Sequence, residues 1–483
     1  FTNKFKKEIA EAIVSGQASA AELAREYSIS PMVISRWKKD YMDGKFFENL
    51  SSTDIKRLEL KIRELERVVG ELTMENRLLK KARDLNTMEK KEDTSIITSR
   101  NWKQPGGGGF SVMPLKIINF LKADFGVMGD GEFILPKLLG VIRENKKYPD
   151  ALNNIKGVAS RRTSYKIIGS QNGSLKEYPL SNRDLVDNKR YYNEGGMGSV
   201  ETKRGCNRRC IYCADPLIKG SKLRTRPVKT VIEEIEKLTH KNINYIHFCD
   251  SELNIPLNHA TELLNQIIEN RLGDKIRWYS YMSPIPFDEN FIKLLKKSGC
   301  EGINFGVDST HKMILKNLGR DHNLEDLENI SKLCSKYKIR FMFDLLVGGP
   351  GEDKDTIKYT IDSVKKLNPT CVGISYGIRI YPGTTLSSMI RKDTPPGKNL
   401  YGNISSNNNF LRPVFYLSEK IGKDLIDYTN SLVSEDRRFF IGASDKSDKN
   451  YNYNENLKLQ KAIKSGYRGA FWDILQRLNF NSL

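Results

Sequence analysis

The first forty residues alternate apolar and polar positions at helical spacing in three short runs, and from Lys4 to Asp43 the pattern predicts three helices. "FKKEIAEAIVSG" is amphipathic and stops at Gly16. "SAAELAREY" opens on Ser19 with Glu22 three residues on, a capping box. After a tight "SIS" connection, Ser30 is placed to cap a third helix and Pro31 to take its first position. Ala24, Ile29, Ile34 and Trp37 are spaced to close a small core between the second and third helices. This is helix-turn-helix grammar. It predicts a third helix lying in a DNA major groove, with Met32, Val33, Ser35, Arg36 and Lys39 facing bases and phosphates.

A different period follows. Ile55, Ile62, Val69 and Asn76 recur every seven residues, as do Leu58, Leu65, Leu72 and Leu79. β-branched residues at a, leucine at d and one asparagine at a favour a parallel two-stranded coiled coil, with Asn76 fixing register. Glu59, Lys61, Glu66, Glu75 and Lys80 flank the seam. A homodimer through residues 55–79 is expected. Residues 86–105 have no periodicity and read as a linker.

From residue 106 the period changes again. A glycine loop, a helix, the apolar strand "FGVMG", the acidic turn "GDGE" and a further helix form an α/β fragment over 106–160. The glycine loop lacks G-K-[ST], so it is no Walker loop. From residue 196 to 400, strands and helices alternate. The strands are "SVETKRG", "NYIHFC", "RWYSYM", "GINFGV", "IRFMFDLLVG" and "CVGISYGIRI", with helices from Val228 to Leu238 and near 259–271, 288–297, 323–337 and 354–367. Six βα repeats predict a parallel sheet, a partial (β/α)6 TIM-like barrel, with chemistry beyond the C-terminal strand ends. Residues 401–483 read as an α-rich extension that lids the barrel mouth.

Composition sharpens this picture at a few points. The chain has 483 residues, 39% hydrophobic and 29% charged, enough for several cores. No apolar run approaches the ~18–20 residues of a membrane span, and no signal-peptide pattern opens the sequence. The chain starts on Phe rather than Met, which reads as an incomplete frame. A net charge of +20 suggests nucleic acid, yet residues 1–100 hold about 20 Lys/Arg against 17 Asp/Glu, so the excess lies further on and the charge carries little weight. Four of the seven cysteines, Cys249, Cys300, Cys334 and Cys371, sit singly near apolar runs as small core residues, which suits a reducing cytoplasm rather than a disulfide framework.

The other three, Cys206, Cys210 and Cys213, stand in "RGCNRRCIYCADP" directly after the first barrel strand. Three thiols are one short of a zinc tetrahedron, and no second cysteine pair exists to complete it. They suit three irons of a [4Fe–4S] cluster with the fourth iron left open.

C-x3-C-x-aromatic-C after the first strand of a βα barrel, with Tyr212 as the aromatic, resembles the signature of radical S-adenosylmethionine (SAM) enzymes. The resemblance covers roughly 196–390 and implies a [4Fe–4S] cluster that reductively cleaves SAM, supplied by an external electron donor. It implies further contacts for SAM: Asp250 and Glu252 in "CDSE" toward the methionine amine, Ser280 toward ribose or carboxylate, and Asp308 in "GINFGVDST". Gly348, Gly349 and Pro350 lie at the fifth-strand glycine turn near adenine, and Arg379 faces a carboxylate or the substrate. The 106–160 fragment is similar to the closing third of the cobalamin-binding domain that precedes many such enzymes, Gly129–Glu132 matching that family's acidic turn. Intact members are often methyltransferases acting on a small molecule or a peptide. A truncated, Rossmann-like remnant implies poor or absent cobalamin binding. Residues 3–85 resemble the first-frame protein of insertion-sequence transposases, which implies dimeric DNA binding without strand transfer. A rival reading makes the whole chain a transposition-associated DNA-binding protein with the barrel as passenger.

Overall fold

The computed structural model describes residues 1–14, 18–43, 45, 108–144, 155–160, 173–176, 182–392, 399–402, 413–422, 424–433, 436–441 and 456–480. The chain divides into two compact units, Phe1–Thr94 and Ser95–Leu483. The heptad positions Ile55, Leu58, Ile62, Leu65, Val69, Leu72, Asn76 and Leu79 lie outside the described residues.

In the first unit, helices α1 (Asn3–Val14), α2 (Ala20–Glu26) and α3 (Pro31–Met42) close over Ile9, Leu23, Ala24, Ile29, Ile34 and Trp37. The four core residues expected from spacing are among them. Both halves of the Ser19–Glu22 capping box are present, which satisfies backbone N–H groups that a short helix otherwise leaves open. Ser30 differs: its side chain makes no cap bond. Pro31 at the helix start holds its own φ near helical values and has no N–H to satisfy, so the start stands without that cap.

In the second unit, α4 (Gly108–Val112), α5 (Pro114–Phe120), β1 (Phe125–Val127), α6 (Gly131–Glu144) and β2 (Val158–Ser160) come first. From Pro114 the predicted order of helix, strand, acidic turn and helix is observed, while Gly108 and Gly109, expected in a loop, open helix α4. β1 and β2 pair antiparallel, however, so this ribbon is not a parallel Rossmann βαβ unit. An edge strand is free to run either way, because only one of its sides must match a neighbour.

The barrel follows: α7 (Asn188–Asn193), β3 (Gly198–Val200), β4 (Lys203–Arg204), α8 (Asp215–Lys219), β5 (Arg224–Thr225), α9 (Val228–His240), β6 (Tyr245–Phe248), α10 (Leu257–Glu269), β7 (Arg277–Met282), α11 (Glu289–Lys297) and β8 (Cys300–Asp308). Then come α12 (Lys312–Leu318), α13 (Leu324–Lys336), β9 (Arg340–Val347), α14 (Lys354–Leu367), β10 (Cys371–Tyr376), β11 (Ile378–Arg379) and α15 (Thr385–Lys392). The closing elements are β12 (Leu400–Tyr401), β13 (Phe415–Tyr416), α16 (Leu425–Val433), β14 (Phe439–Ile441), α17 (Leu457–Lys464) and α18 (Phe471–Phe480).

Seven parallel strands form one sheet in the order β14-β10-β9-β8-β7-β6-β3. Its outer face packs on the helices. In α9, Val228, Val231, Ile232, Ile235 and Leu238 recur at helical spacing and are buried, in the same core as Ile246, Phe248 and Trp278 of the neighbouring strands. Each such side chain contributes roughly 1.5–3 kcal/mol by leaving water.

Beyond residue 400 the described residues serve both ends of the barrel: Phe415 lines a cavity with Cys213 at the mouth, and the remainder complete the sheet and fill its base. β14 supplies the seventh strand, paired with β10. β12 and β13 pair with β11 just past the end of β10. Helices α17 and α18 fill the inner face of the sheet from its N-terminal end. Trp472, Ile474 and Leu475 join Leu459, Ala462 and Ile463 against Tyr279, Met342 and Cys371, all set low in their strands. Asp473, fully buried, accepts from Tyr279 Oη at 2.7 Å and pairs with Arg340 and Arg477. The physical reason is the barrel's open base. Inward residues of β7, β9 and β10 are apolar there, and something apolar must cover them.

Candidate functional site

The loop carrying Cys206, Cys210 and Cys213 runs from β4 to α8, beside the C-terminal ends of β3 and β6. It begins at Gly205, whose φ is +96° and where a Cβ would stand 2.1 Å from the Lys222 carbonyl, so only glycine fits. Ile211 N–H donates to the Leu318 carbonyl at 3.1 Å and the Ile211 carbonyl accepts from Leu386 N–H at 2.9 Å, which clamps the loop between α12 and α15. Gly319, left-handed at +72°, lets the end of α12 press on the Arg209 carbonyl, where a Cβ would come within 2.4 Å.

All three cysteines are free and partly exposed. Burial pushes each thiol up, Cys213 to about 12, and Cys213 feels both Cys210 and Cys206. Arg320 and Lys203 pull the other way, on Cys210 and Cys206 respectively. Among the described residues, no three His, Cys, Asp or Glu side chains converge as ligands of a single metal ion would. Three thiols on one short loop offer three ligands, one fewer than a closed zinc tetrahedron takes. A bound cation would reverse the upward push and hold the thiols as thiolates.

The surroundings of the loop are ionic and dense. Tyr212 Oη donates to Asp308 Oδ2 at 2.5 Å, the tyrosine half-buried and the aspartate buried. Arg320 donates to Cys210 Sγ at 3.0 Å and to the Gly306 carbonyl, with Asp308 3.4 Å from its Nε. Arg208 reaches Glu252 (3.3 Å), Ser283 Oγ (3.1 Å), the Ile285 carbonyl (2.6 Å) and Asp321. Burial raises the Glu252 carboxyl, while Arg320 and Arg208 oppose that shift. Lys203 is buried beside Asp250 and Cys206, and burial lowers its pKa.

Not every expected contact faces the loop. Asp250 is fully used by the backbone: it accepts from Thr202 N–H (2.8 Å), Lys203 N–H (3.2 Å) and the Thr202 hydroxyl. It ties the end of β6 to the start of the cysteine loop and has no oxygen aimed at a ligand. Ser280 lies between Trp278 and Met282, both of which pack toward the helices. Alternation along β7 therefore turns Ser280 to that same face, away from the barrel interior, and its buried hydroxyl has no partner there. Gly348 and Gly349 do form the glycine turn, Gly348 at φ +108°, and both N–H groups donate to Glu352, whose burial lifts its carboxyl to about 7. The Pro350 carbonyl accepts from Asn317 at 2.8 Å. Arg379 is exposed and stacks 5.0 Å from the Tyr381 ring.

Two cavities flank the loop. One of about 690 Å³ lies between Gly108, Gly109 and Met113 on one wall and Tyr212, Cys213 and Arg379 on another. The second, about 800 Å³, lies between α6 and residues Glu201, Arg204 and Lys219. Between them, the acidic turn has a visible job. Asp130 and Glu132 take Arg204 at 3.0 and 2.9 Å, and Asp130 also pairs with Arg224. The 108–144 segment is thereby clasped to the residue two places before Cys206.

Arg208, Arg320, Lys203 and Glu352 were not legible as site residues. Arg208 stood inside the cysteine motif, where its charge was the only signal. Arg320 lies 110 positions from the sulfur it touches and had none. In the first unit, Met32, Val33, Ser35, Arg36 and Lys39 are all exposed on α3, opposite buried Ile34 and Trp37.

Comparison with known proteins agrees with both units. Residues 200–364 match the radical SAM superfamily model and residues 1–70 a transposase model. Tryptophan 2-C-methyltransferase of Streptomyces laurentii is 27% identical, over 76% of this chain and 78% of its own. An uncharacterized methyltransferase of Pyrococcus horikoshii is 26% identical over 54% of this chain and 56% of its own. Among solved structures, the radical SAM methyltransferase TsrM from Kitasatospora setae, with tryptophan substrate and a SAM analogue, superposes with a TM-score of 0.70 at 26% identity, covering 79% of this chain and 81% of that one. The same enzyme was also solved with cobalamin and a [4Fe-4S] cluster, at a TM-score of 0.68.

Proposed function

From a chain that carries a radical SAM domain and a transposase-type helix-turn-helix segment ahead of it, we propose a SAM-dependent methyltransferase that holds a [4Fe–4S] cluster through Cys206, Cys210 and Cys213. The observation that carries this reading is the cysteine loop itself, three free, partly exposed thiols clamped at the strand ends beside Arg320. Such a cluster supplies single electrons to SAM. The chain's own residues do the rest. Arg320 donates to Cys210 and fixes that sulfur, and Arg208 holds Glu252 at the loop's edge. The Gly348–Gly349 turn is braced by Glu352 and packed against Leu417 and Leu318, so an adenine would meet it along its backbone edge rather than at the glycine α-carbons. Arg379 stands on the 690 Å³ cavity with no carboxylate partner among the described residues, available to an anionic group.

Cobalamin, present in the Kitasatospora relative, fits less completely. The acidic turn Gly129–Glu132 is kept, but the described part of this segment has two antiparallel strands. Our reading is that this chain binds cobalamin more weakly than an intact domain would, and stoichiometric cobalamin in the purified protein would overturn it. The test of the main reading is anaerobic reconstitution. The wild type should turn brown and consume SAM, and Cys206→Ala, Cys210→Ala or Cys213→Ala should abolish both. A colourless wild type that leaves SAM intact would sink it.

The exposed row on α3 supports a second activity, DNA binding by residues 1–50, with homodimerisation through 55–79 resting on the heptads. A gel shift on inverted-repeat DNA should weaken steeply with salt and vanish in the Arg36→Ala/Lys39→Ala double variant. Binding that persists in that variant would remove these residues from the interface. Sedimentation of the full chain reads the dimer. A reducing cytoplasm remains our expectation for an iron–sulfur protein with seven free cysteines, and none of the described helices is long and apolar enough to cross a membrane.

A further inference from the structure

The inner face of the sheet carries one acid that nothing above accounts for. Asp344 sits in β9 on the lumen side, since its neighbours Phe343 and Leu345 pack outward with the helix core. It is deeply surrounded yet partly exposed, so the lumen reaches it. It is level with Gly373 of β10 and Gly306 of β8, neither of which puts a side chain in front of it. Leu346 and Ser375, one inward layer above, line the 690 Å³ cavity beside Cys213. Asp344 stands one inward layer below them on the same sheet face.

Its bonding is unusual for a carboxyl so placed. Its one hydrogen bond is from Asn304 Nδ2, at a long 3.4 Å. No cation pairs with it among the described residues. The other groups that act on it are the Asp308 carboxyl of β8, and it acts in turn on the Cys371 thiol of β10; neither is a donor of positive charge. Enclosed carboxylates are ordinarily paired, and this one is not. Its neighbour is also held in a fixed sense. Trp472 Nε1 of α18 donates to Asn304 Oδ1 at 2.6 Å, which obliges the amide to turn its NH2 toward Asp344. The rest of that wall is aromatic or polar, His247 and Tyr281 meeting edge to face at 6.0 Å.

We propose that Asp344 is the substrate-anchoring carboxyl of the barrel, the counter-charge for a protonated amine on a small aromatic substrate that enters through the cavity beside Cys213. The proposal rests on the methyltransferase reading for what happens next, but not for the binding itself. Burial holds the free carboxyl up to about 7, so it is half neutral near physiological pH, and an arriving ammonium would draw it to the charged form.

The test is equilibrium binding to the full-length, cluster-reconstituted chain with two probes that share ring and chain length but differ in head group: tryptamine and the neutral alcohol tryptophol, which has no charge for Arg379 to attract. Wild type should prefer tryptamine by at least about tenfold. Asp344→Asn, which keeps the shape and removes the charge, should lose about that factor for tryptamine and none for tryptophol. Tryptamine affinity in the wild type should fall as pH drops through about 7, because the carboxyl takes up its proton while the amine stays charged. The variant should show no such slope. If Asp344→Asn fails to fold, the wild-type slope and head-group preference alone decide. Equal binding of both probes, binding of neither, or an unchanged variant each overturns the assignment. Iron content and SAM binding, read on the same samples, report the enzyme reading separately.

Discussion

The N-terminal helices and the barrel site solve their problems at different ranges of sequence. In the first unit the capping box spans three residues, and the second and third helices close on positions 23 to 37. In the barrel, the cysteine loop meets Arg320 across 110 positions and Asp308 across 96, and the base is filled by a helix 194 positions from the tyrosine it binds. One unit is a product of local spacing. The other is a convergence of strand ends, and no window of sequence contains it.

That contrast can be broken experimentally. The largest effect expected is from Cys210→Ala: nearly all bound iron lost and no SAM consumed, with DNA retardation by residues 1–50 unchanged. Loss of both activities together would mean the units are interdependent. Next, Trp472→Ala should cost the second unit roughly 3–5 kcal/mol, read as a lower urea midpoint, because it empties the base and frees Asn304. An unchanged midpoint would mean the helix is not structural. Third is a pH effect. Glu352 has its carboxyl raised to about 7 in the fold against 4.5 when exposed, so the folded state holds the proton more tightly. Stability from this group is therefore full below about 4.5 and is lost as pH rises toward 7, on the order of 3 kcal/mol in all. Glu352→Gln should flatten that part of the stability–pH curve; an unaltered curve would show that Glu352 is not its source. The smallest is Ile34→Val, about 1 kcal/mol from the first unit alone, seen as a shift in its own melting transition with the iron content constant.

What was legible followed the same division. Apolar spacing located the helix-turn-helix core and the six barrel strands because amphipathic periods are properties of the chain itself. The strand β14 escaped notice: "FFI" is three residues long, and only its partner β10 makes it a strand. The cysteine motif was legible since its three thiols lie within eight residues. Asp250 and Ser280 were located correctly in sequence but not in orientation. Asp250 turned back onto its own loop to satisfy Thr202 and Lys203, and strand alternation faced Ser280 to the helices. The extension beyond residue 400 read as an α-rich lid, and nothing in its sequence said that Trp472 and Leu475 would cover the base of the sheet instead.

By itself, then, the sequence determined the periods, the caps, the glycine turns and the three thiols, all set by neighbours within a few residues. The tertiary structure decided which charges meet: Arg204 with Asp130 and Glu132, Arg320 with Cys210, Asp473 with Arg340, and Asp344 with no cation among the described residues. The reason is that a buried charge is fixed by what desolvates it and what faces it, and both are supplied by strands and helices distant in the chain.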